Sequence, residues 1–155
     1  MSRPDRIVII GGGHAGVQLC NALAAAGLAF AVDLVCEEDE LPYHRPPLSK
    51  VFLKNPEEKL QTHRAANWFA DAGITVHCGD AAVRIDRAKR LVHLLSGAVL
   101  PYRSLVLATG ARSKWLPHVP ENLSNVLTLR TAADALRLRT LLQGCEKVTV
   151  VGGGF

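Results

Sequence analysis

The segment RIVIIGGGHAG, at positions 6–16, constrains the fold of this 155-residue chain more strongly than any other. Arg6–Ile10 is a short apolar run that ends in glycine, which is typical of a parallel strand covered on both faces. Gly16–Ala26 is rich in alanine and leucine and predicts a helix, and Ala31–Cys36 predicts a second buried strand. Together these elements predict a β-α-β unit with a right-handed crossover.

The glycines between the first strand and the helix predict a dinucleotide site. Gly11, Gly13 and Gly16 form the pattern G-x-G-x-x-G, in which the first glycine permits a tight turn, the second admits a pyrophosphate and the third allows close helix packing. The free N–H groups at the helix start would face the phosphates. Glu37 follows the second strand, where a carboxylate accepts hydrogen bonds from ribose hydroxyls and repels a 2′-phosphate, which argues against NADP at this site. A glycine-rich turn without a ligand is the alternative interpretation.

Further elements follow along the chain. The long segment 37–61, which contains several prolines, predicts a loop with one helical turn. Thr131 and Asp134 have the spacing of a capping box and mark the start of a helix. The other predicted elements are an amphipathic helix at His63–Ala72, strands at Ile74–His77 and Leu105–Ala108, a hairpin of Ala82–Asp86 with Leu91–Leu95, a helix at Thr131–Leu142 and the beginning of a strand at Val148–Val151.

Composition sets limits on the function. The net charge is +4, but no Lys/Arg tract or platform of stacked aromatic residues accompanies it, so we expect no nucleic-acid partner. No run of about 18 apolar residues occurs, so we expect no membrane span and take the cytoplasm as the default location. The four cysteines and six histidines show no metal-ligand spacing, so we expect reduced thiols and no metal site.

Two later segments make the pattern specific: LPYHRPPLSK at 41–50 and LVLATGARSKWLP at 105–117. With them the chain resembles the FAD-dependent pyridine-nucleotide oxidoreductases of the ferredoxin-reductase type, a group that includes putidaredoxin and rubredoxin reductases. The resemblance covers the whole chain, because LRTAADALRLR and the closing VVGGGF also follow in the order found in that family.

The resemblance implies a FAD site and assigns roles to particular residues. A cation beside the flavin ring stabilises the anionic reduced flavin, so Lys50 is the candidate catalytic residue. The implied cofactor-binding residues are Gly11, Gly13, His14, Ala15 and Gly16 at the pyrophosphate, with His14 using its backbone only; Glu37 at the adenosine ribose; Arg45 near the phosphates; Lys50 at the flavin; Ala82 at the adenine; Ala108, Thr109 and Gly110 near the flavin and its tail; and Arg130 where the chain crosses towards a second domain.

The same resemblance implies the activity and the partners. We expect an NAD(P)H:ferredoxin oxidoreductase that acts as the electron-transfer component of an oxygenase system. The chain lacks the redox C-x-x-x-x-C of the related disulfide reductases, so we expect electrons to pass from FAD to an external iron–sulfur protein of the ferredoxin type. NAD(P)H is the expected co-substrate of the complete protein.

We therefore expect an α/β fold: a Rossmann-like, three-layer FAD-binding domain with a parallel sheet and an antiparallel β-hairpin insertion, incomplete and followed by the start of a second Rossmann domain. The expected boundaries are 1–115, a linker at 116–130, and 131–155. The second glycine motif stops after Gly152 and Gly154, so we expect this piece to be inactive by itself. The alternatives are a non-catalytic dinucleotide-binding module, a remnant of a truncated gene, or an ordinary NAD-binding Rossmann domain.

Overall fold

The computed structural model describes residues 6–27, 31–120 and 122–152. The chain divides into two compact units. The first unit comprises Met1–His44 and Gln61–Ala111, and the second comprises Arg45–Leu60 and Arg112–Phe155. The domain boundaries expected from the sequence stay predictions.

A four-stranded parallel sheet forms the centre of the first unit. The strands of the unit are β1 (Arg6–Ile10), β2 (Ala31–Val35), β3 (Ile74–His77), β4 (Ala82–Asp86), β5 (Leu91–Leu94), β6 (Val99–Pro101) and β7 (Ser104–Leu107). The strand order of the parallel sheet is β3-β2-β1-β7, so the first strand of the chain lies in the interior of the sheet.

Both faces of the parallel sheet are covered, which explains why its strands are apolar runs. On one face, Ile9 and Leu34 pack against Phe69 and Cys20 of two helices. On the other face, Val8 and Val35 pack against Val92 and Leu94 of β5. The first unit therefore has three layers, and the predicted three-layer α/β fold with a parallel sheet is confirmed.

The antiparallel layer is larger than the predicted hairpin. Strands β4 and β5 form the hairpin, and β6 adds a third strand in the order β4-β5-β6. In the turn, the Asp86 side chain accepts a hydrogen bond from the Lys89 N–H at 2.9 Å, and Arg90 has a φ of 56°. Leu95, which we expected in β5, lies beyond its end and is exposed.

The helices of the first unit differ from the predictions at their ends. Helix α1 spans His14–Ala25, two residues earlier than predicted, because Gly13 is its N-cap. The helix predicted from residue 63 begins later, at Ala66, and ends at Asp71. We number it α3, because the short α2 (Val51–Lys54) of the second unit precedes it in the chain. His63 pairs instead through its backbone N–H with the Pro42 carbonyl oxygen at 2.8 Å, which holds this segment out of the helix.

Asp33 is a buried charged residue in β2, with 1% of its surface exposed. It accepts two hydrogen bonds from Arg6, at 2.8 and 3.1 Å, and its Oδ1 lies 2.8 Å from His77 Nε2. The three residues lie on three neighbouring strands, so this hydrogen-bonded cluster ties β1, β2 and β3 together.

The second unit contains a 3-10 turn at Pro46–Ser49, helix α2 and helix α4 (Ala132–Leu142). The predicted capping box of α4 is confirmed: the Asp134 N–H donates to Thr131 Oγ1 at 3.1 Å, and the Thr131 N–H donates to Asp134 Oδ2 at 2.9 Å. Arg139 of α4 lies over the Phe52 ring of α2, 4.7 Å from its centroid, and donates to the Phe52 carbonyl oxygen.

The strand predicted at Val148–Val151 is wrong for this structure. These residues have no strand partner among the described residues, and Val150 is 80% exposed. A buried parallel strand needs a sheet that covers both its faces, and the described part of the second unit contains none. The start of a second Rossmann domain stays a prediction.

No described helix is long and apolar enough to span a bilayer.

Candidate dinucleotide site

The turn between β1 and α1 carries the three glycines of the predicted motif. Gly11 has a φ of +116°, which favours glycine, and its N–H donates to the Val35 carbonyl oxygen at 2.8 Å. His14 and Ala15 are the first residues of α1 and are exposed. The first N–H groups of a helix have no partner within the helix, so this turn presents donors to solvent at the positive end of the helix dipole.

Two of the glycines are required by the packing of the protein itself. A Cβ at Gly11 would lie 2.2 Å from the Ala108 carbonyl oxygen, and a Cβ at Gly16 would lie 2.1 Å from the Gly11 carbonyl oxygen. Real Cβ atoms do not approach backbone atoms so closely. Gly16 therefore lets α1 pack tightly on the sheet, as the motif predicts.

Gly13 differs from these two glycines, because no such neighbour explains it. Apart from its chain neighbours, no described residue would come within 4 Å of a Cβ at Gly13. Its φ of −76° and ψ of −175° suit any residue. The described structure therefore gives no packing reason for a glycine here. A ligand lying against this turn would provide a reason, because a glycine lets a pyrophosphate approach the backbone closely.

The carboxyl ends of the parallel strands meet around this turn. Ala108 follows β7 and donates its N–H to the Ile10 carbonyl oxygen at 2.8 Å, and Thr109 and Gly110 continue from it. Glu37 is exposed and follows β2 closely. Ligands of open α/β sheets bind in the crevice outside these strand ends.

The structure places the predicted residues in two groups. The glycine turn, Glu37, Ala82 at the start of β4, and Ala108–Gly110 all belong to the first unit. Arg45, Lys50 and Arg130 belong to the second unit, where Arg45 Nη1 donates to the Arg130 carbonyl oxygen at 2.7 Å. Lys50 is exposed between the 3-10 turn and α2. The cofactor roles of all these residues stay predictions.

A histidine cluster at the start of α1 was not predicted from the sequence. The ring centroids of His44 and His63 lie 3.9 Å apart, and those of His14 and His63 lie 5.6 Å apart. Burial and the neighbouring imidazoles of His44 and His14 lower the pKa of His63. Only the fold brings the three together, because no regular spacing in the sequence relates positions 14, 44 and 63. Within the described residues, no group of His, Cys, Asp or Glu side chains is arranged to hold a metal ion.

The proximity of Cys36 and Cys78 was also not predicted from the sequence. Cys36 and Cys78 follow neighbouring positions of β2 and β3, so their thiols are neighbours, and Cys78 Sγ donates to the Glu40 carbonyl oxygen at 3.5 Å. Burial raises the pKa of Cys36 to about 12 and that of Cys20 to about 11. All four cysteines are free thiols.

We expect the thiols to differ greatly in reactivity. Cys145 is exposed, whereas Cys20 and Cys36 are buried and hold little thiolate at neutral pH. Iodoacetamide should therefore modify Cys145 at least about 100-fold faster than Cys36, as measured by mass spectrometry of peptides over time. In urea the four rates should become similar, and equally fast labelling of Cys36 in the folded chain would contradict the burial described above.

A parallel sheet, a glycine turn leading into a helix and a carboxylate after the second strand define a Rossmann-type domain. The chain belongs to the pyridine nucleotide-disulphide oxidoreductase family, whose model matches residues 5–155.

Named relatives lie within this family. Rhodocoxin reductase of Rhodococcus erythropolis is 41% identical over 150 residues, which are 96% of this chain and 35% of that protein. The ferredoxin–NAD(+) reductase subunit of the benzene 1,2-dioxygenase system of Pseudomonas putida is 34% identical over 151 residues, which are 97% of this chain and 37% of that protein. The chain thus spans about a third of the length of these relatives.

Solved structures show the same relationship. The ferredoxin reductase for the CYP199A2 system of Rhodopseudomonas palustris matches with a TM-score of 0.83 and 39% identity, over 90% of this chain and 34% of that one. Putidaredoxin reductase, solved in a covalent complex with putidaredoxin, matches with a TM-score of 0.80 and 36% identity, over 91% of this chain and 35% of that one.

Proposed function

We propose that this chain is the FAD-binding part of an NAD(P)H:ferredoxin oxidoreductase that delivers electrons to an oxygenase system. The observation that carries the proposal is the open space at Gly13, which a bound pyrophosphate explains and the described packing does not. The relatives support a ferredoxin partner, because several that align over nearly the whole chain are named as ferredoxin reductases.

In this proposal the chain's residues bind and orient the cofactor. The N–H groups at the start of α1 donate to the pyrophosphate, and Glu37 accepts hydrogen bonds from the adenosine ribose. Ala82 contacts the adenine, Ala108–Gly110 pass near the flavin and its tail, and Arg45 lies near the phosphates. Arg130 contacts FAD where the chain crosses towards the second domain. Lys50 supplies a positive charge beside the flavin ring, where it stabilises the reduced form.

FAD, when bound, would supply hydride acceptance from NAD(P)H and single-electron donation to an iron–sulfur protein. The four cysteines are free, and none has a partner at the C-x-x-x-x-C spacing that disulfide reductases use. We therefore propose an external ferredoxin as the electron acceptor. In this proposal, electrons pass from FAD to the ferredoxin without a redox-active pair of cysteines.

The first experiment is a titration of the purified chain with FAD, followed by flavin fluorescence and by calorimetry. We expect saturation at one FAD per chain. ADP-ribose, which shares the adenosine and the pyrophosphate, should compete, and riboflavin, which lacks both, should not. NAD provides the comparison: binding of NAD in preference to FAD would contradict the proposal and favour an ordinary NAD-binding Rossmann domain.

A second measurement tests the ferredoxin half of the proposal. The FAD-loaded chain is reduced anaerobically with dithionite, freed of excess reductant and mixed with an oxidised iron–sulfur ferredoxin. We expect the flavin absorbance to return as the ferredoxin is reduced. FAD binding without any transfer would support the non-catalytic dinucleotide-binding module instead.

A further inference from the structure

Three imidazoles from separate segments lie together at the start of α1. His14 is the first residue of the helix, His44 lies in the loop after β2, and His63 precedes α3. The rings of His44 and His63 are tilted by 55° at a centroid distance of 3.9 Å, and those of His14 and His63 by 53° at 5.6 Å. The rings are thus close enough for the charge of each to influence the others.

The backbone holds the two closest rings together. The His44 N–H donates to the Gln61 carbonyl oxygen at 2.8 Å, and an isolated antiparallel bridge pairs Tyr43 with Thr62. The His63 N–H also donates to the Pro42 carbonyl oxygen on the opposite segment. The Tyr43 hydroxyl donates to Glu38, which further fixes the segment. The backbone segments that carry the two imidazoles are therefore held side by side by the fold.

Other basic side chains lie near His63. The His44 and His14 rings are its neighbours, and Arg64 is the next residue, with its Nε donating to Asn21 Oδ1 of α1 at 3.0 Å. Protonation of one imidazole opposes protonation of its neighbours, and half-burial of His63 adds a desolvation cost. An anion placed among these groups would favour the protonated imidazoles and so offset these penalties.

We propose that the cluster of His14, His44 and His63 belongs to the pyrophosphate site and takes up a proton when a dinucleotide binds. This inference rests on the proposed function, since it adds a titratable side-chain element to the backbone donors of α1. It extends the role of His14, which the sequence pattern restricts to its backbone. The cluster thus gains positive charge when the dinucleotide binds and loses it when the dinucleotide leaves.

The direction of the pH effect follows from linkage. If the complex binds more protons than the free chain, affinity rises as pH falls through the range in which histidine titrates. One proton taken up completely changes the dissociation constant by at most about tenfold per pH unit. We expect FAD to bind about three- to tenfold more tightly near pH 6 than near pH 8.

The experiment is calorimetric titration of the chain with FAD near pH 6, 7 and 8, in pairs of buffers with different ionisation enthalpies. The dependence of the heat on the buffer gives the number of protons taken up. In parallel, the histidine ring signals are followed by NMR with and without FAD. We expect proton uptake on binding and a His63 signal that titrates at higher pH in the complex.

Two variants locate the effect. His63→Gln removes the titrating ring and should abolish most of the pH dependence of FAD binding. His93→Gln, on β5 of the antiparallel sheet, is the matched control and should keep the full pH dependence. Retention of that dependence in His63→Gln would overturn the inference.

The outcomes separate the two proposals. Tight FAD binding with no proton uptake and no pH dependence would overturn the role of the histidines and leave the FAD site intact. No FAD binding to the folded chain at any pH would overturn both. Proton uptake that disappears in His63→Gln and persists in His93→Gln supports both.

Discussion

A Gly13→Asp chain should bind FAD at least about 100-fold more weakly than the unaltered chain, while its folded state becomes more stable by a few tenths of a kcal/mol. Gly13 is the N-cap of α1 and provides no capping side chain. A carboxylate there would accept hydrogen bonds from the first N–H groups and face the positive end of the helix dipole. The same carboxylate would fill the open space and repel a pyrophosphate. Calorimetry with FAD and urea unfolding measure the two effects.

Two further variants control this experiment. Gly13→Asn has the same shape and also caps the helix, but it carries no charge, so its loss of FAD affinity should be smaller. Gly11→Ala should instead lower the free energy of unfolding by about 2–4 kcal/mol, because its Cβ would meet the Ala108 carbonyl oxygen in an unfavourable backbone conformation. Unchanged FAD affinity in Gly13→Asp would contradict a pyrophosphate at this turn.

Asp33→Asn should lower the free energy of unfolding by about 3 kcal/mol. Asp33 is buried, and its carboxylate pairs with both Arg6 and His77. An amide keeps the shape but leaves the Arg6 charge without its counterion, and the Arg6 side chain is only 34% exposed. The melting temperature should fall by roughly 6–12 °C, as measured by circular dichroism and checked by urea unfolding.

Asp71→Asn is the matched control for this substitution. Asp71 is exposed at the end of α3, so the same chemical change there should alter the free energy of unfolding by less than about 0.5 kcal/mol. Equal stability of Asp33→Asn and Asp71→Asn would show that the buried cluster contributes nothing to the fold.

Local sequence signals account for much of the first unit. The bounds of Arg6–Ile10 and Ile74–His77 were predicted to the residue, because a short apolar run next to a glycine defines the limits of a strand. The start of α4 was also predicted correctly, since Thr131 and Asp134 satisfy each other's backbone N–H groups. The start of α1 was placed two residues late, because the third glycine was taken as the first helical residue although Gly13 already caps the helix.

The features that sequence reasoning missed depend on which strands become neighbours. Asp33 meets His77 only because β2 and β3 are adjacent and parallel, and Cys36 meets Cys78 for the same reason. His44 and His63 meet through a backbone pairing between two loop segments, for which the sequence carries no periodic signal. Propensity and periodicity describe single elements, so side-chain clusters that join several elements lie beyond them.

The Cys36 side chain occupies the space that a side chain at Gly12, in the glycine turn, would need. A Cβ at Gly12 would lie 2.4 Å from Cys36 Sγ and 3.2 Å from Pro42 Cγ. A residue larger than glycine at position 12 therefore requires the Cys36 side chain to rotate away or to be replaced by a smaller one. Substitutions at position 12 are expected to depend on which residue occupies position 36.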